Sequence, residues 1–128
     1  MKLLIDTHAF LWLASDISKL SPKAQHLFSD DANELYLSVA SLWEMAIKIG
    51  LGKLQVAKPL TTLVAEQQQA NRIQLLLIQP EHTLAVQDLP NHHKDPFDRM
   101  LVVQAKAESL TLVTQDGVLS RYLPTIVW

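Results

Sequence analysis

Cysteine is absent from the 128-residue chain, which excludes a disulfide framework, a thiolate metal site and a cysteine nucleophile. Glycine and proline are scarce, at 3 and 6 residues, so the chain has no low-complexity or collagen-like character. No apolar run approaches the roughly 18 residues of a membrane span. The apolar start is interrupted at Asp6, too early for a signal-peptide core. These absences favour a soluble, intracellular and therefore cytoplasmic protein.

The charge of the chain gives no sign of a nucleic-acid partner. Nearly half of the residues (48%) are hydrophobic, enough for a packed core, and the length fits one domain over residues 1–128. The 13 acidic residues outnumber the 11 Lys and Arg residues, so the formal net charge is −2. A nucleic-acid binder usually carries a basic face. Attraction to RNA would therefore require a local basic patch, bound cations or a second subunit.

Short apolar runs alternate with helical patterns along the chain. Strands are predicted at 3–5, 34–39, 74–78, 111–114 and 126–128, and those at 3–5 and 74–78 are expected to be buried on both faces. Helices are predicted at 8–14, 22–29, 40–49, 59–72, 80–88, 96–109 and 117–122. This alternation predicts an α/β domain with a mostly parallel sheet.

Two acids follow predicted strands. Asp6 comes directly after the strand at 3–5, and Asp116 follows the strand at 111–114 with one residue between. Ligands of open parallel sheets bind outside the carboxyl ends of the strands, so the two carboxylates converge if these strands are neighbours. For each acid taken alone, capping of the following helix explains its position equally well.

Asp98 is the most informative acid. In a helix it shares a face with Leu101, Val102 and Ala105. A carboxylate on an apolar face is costly to bury without a partner, so a metal ion or a hydrogen-bond donor is expected beside it. An alternative is that Asp95 caps the helix and Asp98 occupies the first turn, where an acidic side chain is favourable. This explains an acid near the start of the helix, but it does not explain why Asp98 faces the core.

Glu44 carries a weaker signal. The predicted helix at 40–49 has a broad apolar arc, formed by Leu42, Trp43, Ala46, Ile47 and Ile49. Glu44 lies off this arc and is spaced i,i+4 from Lys48 in the favourable orientation. Spacing alone therefore favours a solvated salt bridge at this position.

The adjacent histidines and the tryptophans have ordinary explanations. His92 and His93 are poorly placed to chelate one metal ion together, and no second pair follows at zinc-site spacing, which favours a loop role or a substrate contact. Trp12, Trp43 and Trp128 lie within apolar stretches. Packing in the core or in an interface is favoured for them over stacking on bases.

The remaining chemistry is that of carboxylates. The chain has no dinucleotide-binding glycine motif, no P-loop and no nucleophile elbow. A cluster of Asp and Glu oxygens suits Mg²⁺ or Mn²⁺. Such ions activate water and stabilise the oxygens of an in-line phosphoryl displacement.

Four stretches carry a resemblance that spans nearly the whole chain. They are Leu-Leu-Ile-Asp-Thr-His-Ala-Phe-Leu-Trp (3–12), Ser-Val-Ala-Ser-Leu-Trp-Glu-Met-Ala-Ile-Lys-Ile-Gly-Leu-Gly-Lys-Leu (38–54), Leu-Pro-Asn-His-His-Lys-Asp-Pro-Phe-Asp-Arg-Met-Leu-Val-Val-Gln-Ala (89–105) and Leu-Val-Thr-Gln-Asp (112–116), followed by Tyr122 and a terminal Val-Trp. In this order and spacing the chain resembles the PIN-domain nucleases, specifically the VapC-like toxins of type II toxin–antitoxin systems.

The resemblance implies a fold and an activity. The fold is a five-stranded parallel sheet of order 3-2-1-4-5 flanked by helices. The site consists of Asp6, Glu44, Asp98 and Asp116, which would hold Mg²⁺ or Mn²⁺ so that an activated water attacks an RNA phosphodiester. Glu44 would help to hold the metal or orient the water, against the salt-bridge interpretation from spacing.

The resemblance also implies supporting residues and partners. Thr114 matches a family Ser or Thr near the last acid, and Asp95 is left as a cap or a supporting residue. Arg99 and His93 belong to the motif of this subgroup and are expected to contact the substrate or support the acids. The family usually forms homodimers, and a cognate antitoxin silences it by inserting a peptide near the site.

Two other classes of function compete with a nuclease. One is a non-catalytic PIN-like module that binds RNA or a protein partner, which the complete set of acids argues against. The other is a phosphatase or receiver-like domain. A phosphatase needs an Asp-x-Asp after the first strand, but this chain has Asp6-Thr7-His8 there. A receiver domain needs an acidic pair before the first strand, and the chain has none.

Overall fold

The computed structural model describes residues 1–123 and 125–128, which form a parallel sheet flanked by helices. The strands are β1 (Lys2–Ile5), β2 (Glu34–Ser38), β3 (Gln74–Leu76), β4 (Thr111–Val113) and β5 (Ile126–Val127). The α-helices are α1 (Thr7–Ser15), α2 (Pro22–Ser29), α3 (Val39–Gly50), α4 (Leu60–Ala70), α5 (Pro80–Ala85) and α6 (Pro96–Ala107). Short 3₁₀ turns lie at Ile17–Lys19, Val86–Asp88 and Gly117–Arg121. Within the described ranges no helix combines the length and apolarity that a membrane crossing requires.

The sheet has the strand order β3-β2-β1-β4-β5, with every pair parallel. This confirms the predicted α/β class and the predicted order. Strand β1 is central, and its last residue Ile5 is paired with Leu37 of β2 and Val113 of β4. The residues that follow β1 and β4 therefore emerge side by side at one edge of the sheet.

Both faces of the sheet are covered. Leu3 and Ile5 of β1 point into a core shared with α1, α2 and α3, whereas Leu4 points into a core shared with α6. Successive side chains of a strand alternate between faces, so a strand with helices on both sides must be apolar throughout. This explains the uninterrupted apolar run at the start of the chain.

The ends of the helices follow local chemistry. The Ser21 hydroxyl accepts a hydrogen bond from the Ala24 amide at 3.0 Å, and Asp95 caps α6, in both cases just before a proline in the first helical position. Helix α3 ends at Gly50. Gly52 follows with a φ of +72°, a backbone conformation that residues with a side chain rarely adopt. These boundaries agree with those predicted from the sequence.

The prediction of a buried strand at 74–78 was wrong. Strand β3 ends at Leu76 and pairs only with β2, so it is the edge of the sheet. Leu75 and Leu77 are exposed, the latter by 60%. An apolar run alone does not distinguish a central strand from an edge strand, because that difference depends on which neighbours the topology supplies.

Much of the apolar arc predicted on α3 is exposed, although Leu42 packs against the core. The inward residues of this helix are Ala40, Ser41, Glu44 and Met45. Trp43 is 61% exposed, and Ile47 is also exposed, so of the two predicted alternatives for Trp43, core or interface, the core is excluded. The helix therefore turns its acid inward and leaves an apolar surface outside.

Candidate functional site

Three of the predicted acids line one open cavity of about 450 Å³. Asp6 follows β1, Asp98 lies in the first turn of α6, and Asp116 follows β4. The cavity is completed by His8, Trp12 and Gln115. The parallel topology thus gathers acids from distant parts of the sequence at the carboxyl ends of two neighbouring strands, where open sheets bind their ligands.

Asp6 and Asp116 cap helical turns and line the cavity at the same time. Oδ1 of Asp6 accepts from the Ala9 amide at 2.8 Å, and Oδ1 of Asp116 accepts from the Val118 amide at 3.0 Å. In each case the second carboxylate oxygen makes a different contact, to Thr114 for Asp6 and to His93 for Asp116. Capping and a position at the cavity, which the sequence left as alternatives, coexist in both residues.

Thr114 joins the first and last acids. Its hydroxyl donates to Oδ2 of Asp6 at 2.6 Å and accepts from the Asp116 amide at 3.1 Å. Burial raises the pKa of Asp6, and the hydrogen bonds from Thr114 and the Ala9 amide act against that rise. Thr114 therefore stabilises the ionised form of Asp6 and fixes the backbone at Asp116.

Asp98 lies in the most acidic surroundings of the site. Burial is the main cause that raises the pKa of Asp98 to about 7, and the negative charges of Asp95, Glu44 and Asp6 raise it further. His93 acts in the opposite direction. Its helix neighbours Leu101, Val102 and Ala105 are buried. The acid thus faces the core side of α6, and its negative charge is only partly compensated by protein groups.

Glu44 lies deeper than the other acids. Its side chain is only 6% exposed, accepts from the Thr7 hydroxyl at 2.7 Å and is paired with Lys48 at 2.7 Å. That hydrogen bond is the main cause of the raised pKa of Lys48. The predicted i,i+4 pair is present, but the prediction that it is solvated was wrong. The Glu44 charge raises the pKa values of both Asp6 and Asp98, so it belongs electrostatically to the same cluster.

His93 lies between two of the acids. Its Nδ1 accepts from the Asp95 amide at 3.0 Å, so the proton of the neutral ring is on Nε2. Nε2 donates to Oδ2 of Asp116 at 2.9 Å and lies 3.5 Å from Oδ2 of Asp98. In this arrangement His93 is a hydrogen-bond donor to the acids.

Arg99 and Tyr122 hold the loop that carries His93. The Arg99 guanidinium donates to the carbonyl oxygens of Val86, Leu89, Pro90 and His93 at 2.9–3.3 Å. The Tyr122 hydroxyl accepts from the amides of His92 and His93, both at 2.8 Å, and donates to the Pro90 carbonyl at 2.6 Å. Arg99 is thus directed at the protein's own backbone, and we call it and Tyr122 the loop clamp.

The donor set suits a hard divalent cation. Ligand atoms of His93, Asp98 and Asp116 lie within 4.8 Å of one another, and Asp6 lines the same cavity. Carboxylate oxygens are the ligands that Mg²⁺ and Mn²⁺ prefer. A raised Asp98 pKa means that the protein alone does not balance the negative charge at this place, and a bound cation would.

The supporting contacts were less visible in the sequence than the acids. Asp95 caps α6 through the amides of Phe97 and Asp98, as expected. Thr7 was not singled out, because a threonine after a strand-end acid looks like an ordinary first helical residue. The role of Tyr122 was also missed, since its partners lie about thirty positions earlier in the chain.

The metal-free protein is expected to lose stability as the pH rises from about 4 to about 7. Asp98 has a pKa near 7 when folded against a model value of 3.8, so the folded state binds the extra proton in that window. The free energy of unfolding should fall by up to about 4 kcal/mol across it and then level off. Urea unfolding in EDTA at several pH values measures this, and Asp98→Asn should flatten the curve. Parallel curves for the two proteins would contradict the assigned surroundings of Asp98.

Thr114→Val is expected to lower the free energy of unfolding by about 1–3 kcal/mol, because it leaves Asp6 and the Asp116 amide without their partner in a buried place. Thr111→Val is the matched control, since Thr111 lies at the other end of β4 and its hydroxyl makes no hydrogen bond within the part of the chain that the structure describes. Chemical unfolding of both variants gives the comparison. Equal losses would mean that the hydroxyl of Thr114 has no special role.

Comparisons with known proteins agree with this architecture. The sequence matches the family model described as "PIN domain" over residues 3–122. No curated protein matches the chain significantly. Among solved structures, one chain of "Crystal structure of VapBC2 from Rickettsia felis bound to a DNA fragment from their promoter" is similar, with a TM-score of 0.73 and 16% identity. The alignment covers 100% of this chain and 98% of that one.

At that level of identity the Rickettsia felis structure is evidence for the fold alone, whereas the family match extends over nearly the whole chain. The matched region includes β1 through β4 and all four acids that surround the strand ends. With the strand order and the placement of the acids, it gives the chain its classification: this protein belongs to the PIN domain family.

Proposed function

We propose that this protein is an endoribonuclease that requires Mg²⁺ or Mn²⁺ and hydrolyses phosphodiester bonds of cytoplasmic RNA. One observation carries the proposal. Asp6, Asp98 and Asp116 line one open cavity at the strand ends, and the charge of Glu44 reaches two of them. Three acids that line one cavity, with a fourth acid behind them and a pKa of Asp98 raised to about 7, form an arrangement that a metal-dependent hydrolase needs and that a binding module does not.

The residues of the site have different roles in the proposed reaction. The divalent ion would be held by Asp6, Asp98 and Asp116. Glu44, which lies deeper in the protein, would support them. When bound, such an ion supplies an activated water and neutralises charge that develops on the phosphodiester. Thr114 and the Ala9 amide fix the orientation of Asp6, and His93 fixes that of Asp116. Thr7 and Lys48 donate to the two carboxylate oxygens of Glu44 and fix its orientation.

We also propose that the protein is the toxin of a type II toxin–antitoxin pair. The PIN domain match, the VapC-like motifs and the fold likeness to a structure named VapBC2 support this assignment. The partners are then a VapB-like antitoxin and a second copy of the chain. The exposed apolar surface of α3, with Trp43, Ile47 and Leu51, is of the kind that such partners cover.

Cleavage of a pool of structured RNAs tests the nuclease. Antitoxin-free protein is incubated with Mg²⁺, with Mn²⁺ or with excess EDTA, and discrete products are expected only with the metals. Thermal unfolding is followed in the same samples, because a bound ion stabilises the folded state. Cleavage that persists in EDTA would contradict the proposal. Metal-induced stabilisation and RNA binding without any products would favour the non-catalytic binding module instead.

A further inference from the structure

A second cavity, of about 480 Å³, lies beside the acidic one. It is bounded by α1, by the segment 54–58 that leads into α4, and by the first part of α4. His8 and Trp12 line both cavities, so the two are adjacent. A ligand whose phosphate lies at the acids therefore has direct access to this second space, which we call the α1 cavity.

The lining of the α1 cavity combines an aromatic ring, aliphatic groups and a cation. The indole of Trp12 is half-buried and contacts the rings of His8 and Trp128 at centroid distances of 5.9 and 5.7 Å. Leu54 and Val56 supply apolar surface. The ring contacts limit the movement of the indole, so little freedom is lost when a planar group packs against it.

The polar groups of the α1 cavity lie at its rim. Lys58 is paired with Glu66 at 2.8 Å, whereas Lys19 is exposed and makes no ion pair with any described residue. Gln55 adds an amide that both donates and accepts hydrogen bonds. A flat heterocycle with hydrogen-bonding edges and an adjacent negative charge matches these features together.

We propose that the α1 cavity binds the base of an unpaired nucleotide next to the scissile phosphate, with Trp12 as the stacking surface. The proposal rests on the proposed function, because it takes the phosphate at the acids as its starting point. Proteins that recognise single-stranded RNA stack its bases on aromatic side chains and contact their edges with polar groups. The shared lining of His8 and Trp12 favours a nucleotide over a peptide, since it puts an aromatic pocket next to the cavity where the proposed function puts the phosphate.

The indole resonances of the three tryptophans provide the test. Asp98→Asn protein, which should not cleave, is titrated with each of the four ribonucleoside 5′-monophosphates and with short single-stranded RNA. The Trp12 Nε1–H signal is expected to shift, and the signal of Trp43, which lines neither cavity, is expected to stay in place and serve as an internal control.

Two variants, Ala57→Phe and Trp12→Leu, test the cavity itself, and a third serves as a control. Ala57→Phe places a ring in the cavity without removing any packing, and Ala32→Phe is the matched control on an exposed loop at the opposite end of the sheet. Ala57→Phe should weaken binding of single-stranded RNA at least about fivefold, as expected for the loss of one stacked base, while Ala32→Phe binds as before. Trp12→Leu should act like Ala57→Phe if it remains folded.

The outcomes separate the two proposals. Nucleotide shifts at Trp12 without metal-dependent cleavage would leave the cavity assigned and overturn the nuclease. Metal-dependent cleavage with no shift at Trp12 and normal binding by Ala57→Phe would overturn the cavity proposal alone. A shift caused by a purified antitoxin but by none of the nucleotides would also overturn it, because the occupant would then be a protein segment.

Discussion

Asp98→Asn is expected to abolish metal-dependent RNA cleavage, slowing it by about a thousandfold or more, while the protein stays folded. The loss corresponds to roughly 4 kcal/mol of transition-state stabilisation, a magnitude typical of metal-ion catalysis. Asparagine has nearly the same size as aspartate but lacks its charge. Because burial and three nearby acids make the ionised form of Asp98 unfavourable without a cation, the variant should be as stable as the wild type in EDTA or more so.

Cleavage rates, thermal unfolding and binding of Mn²⁺ are measured together for this variant. The expected combination is no products, a melting temperature at or above that of wild type without metal, and little stabilisation by added metal. Asp88→Asn is the matched control, since Asp88 is an exposed acid outside the site. If Asp98→Asn cleaved RNA at the wild-type rate, the cavity at the strand ends would not be the catalytic site.

The fold followed closely from local patterns in the sequence. Apolar runs, Ser-Pro and Asp-Pro starts and the glycines after α3 predicted nearly all of the elements within a few residues. The strand order came from the resemblance carried by four stretches, because pairing between strands depends on long-range contacts that periodicity does not encode. The same limit explains why 74–78 was expected to be buried although β3 is an edge strand.

Helix α3 shows where a helical wheel fails. The wheel placed Glu44 off the apolar arc, and its spacing from Lys48 favoured a solvated salt bridge, yet the inward face carries Glu44 between Ala40 and Met45. Burial of this acid is made possible by Thr7 and Lys48, which contact its two oxygens. Spacing alone favours an exposed acid, since it cannot anticipate that a buried acid will find both of its partners.

The three acids that line the cavity had local signals in the sequence, but the contacts that orient them did not. Asp6 and Asp116 follow strands, and Asp98 lies on an apolar helical face, so each has a local signal. The tautomer of His93 depends on the Asp95 amide, and its loop depends on Arg99 and Tyr122. Such contacts join positions that no spacing rule connects, so only the folded chain reveals them.

Arg99→Met is expected to have the second largest effect. It should lower both the stability of the loop that carries His93 and the affinity for metal. The change removes a guanidinium that donates to four carbonyl oxygens, and hydrogen bonds from charged groups are worth about 1.5–3 kcal/mol each. Because water can replace part of them at this half-buried place, we expect a loss of about 3 kcal/mol. With the loop loosened, His93 no longer fixes Asp116, and Mn²⁺ affinity should fall about 10- to 100-fold.

Arg99→Lys should recover little of this loss, because one ammonium cannot reach acceptors spread over Val86 to His93. Tyr122→Phe should act in the same direction by removing the hydroxyl that accepts from the His92 and His93 amides. Arg121→Met, at an exposed arginine, is the control. Unfolding curves give stability, and titration with Mn²⁺ at low temperature gives affinity while the variants remain folded. If Arg99→Met bound Mn²⁺ as tightly as Arg121→Met despite a lower stability, the loop clamp would support the fold alone and have no part in orienting the acids.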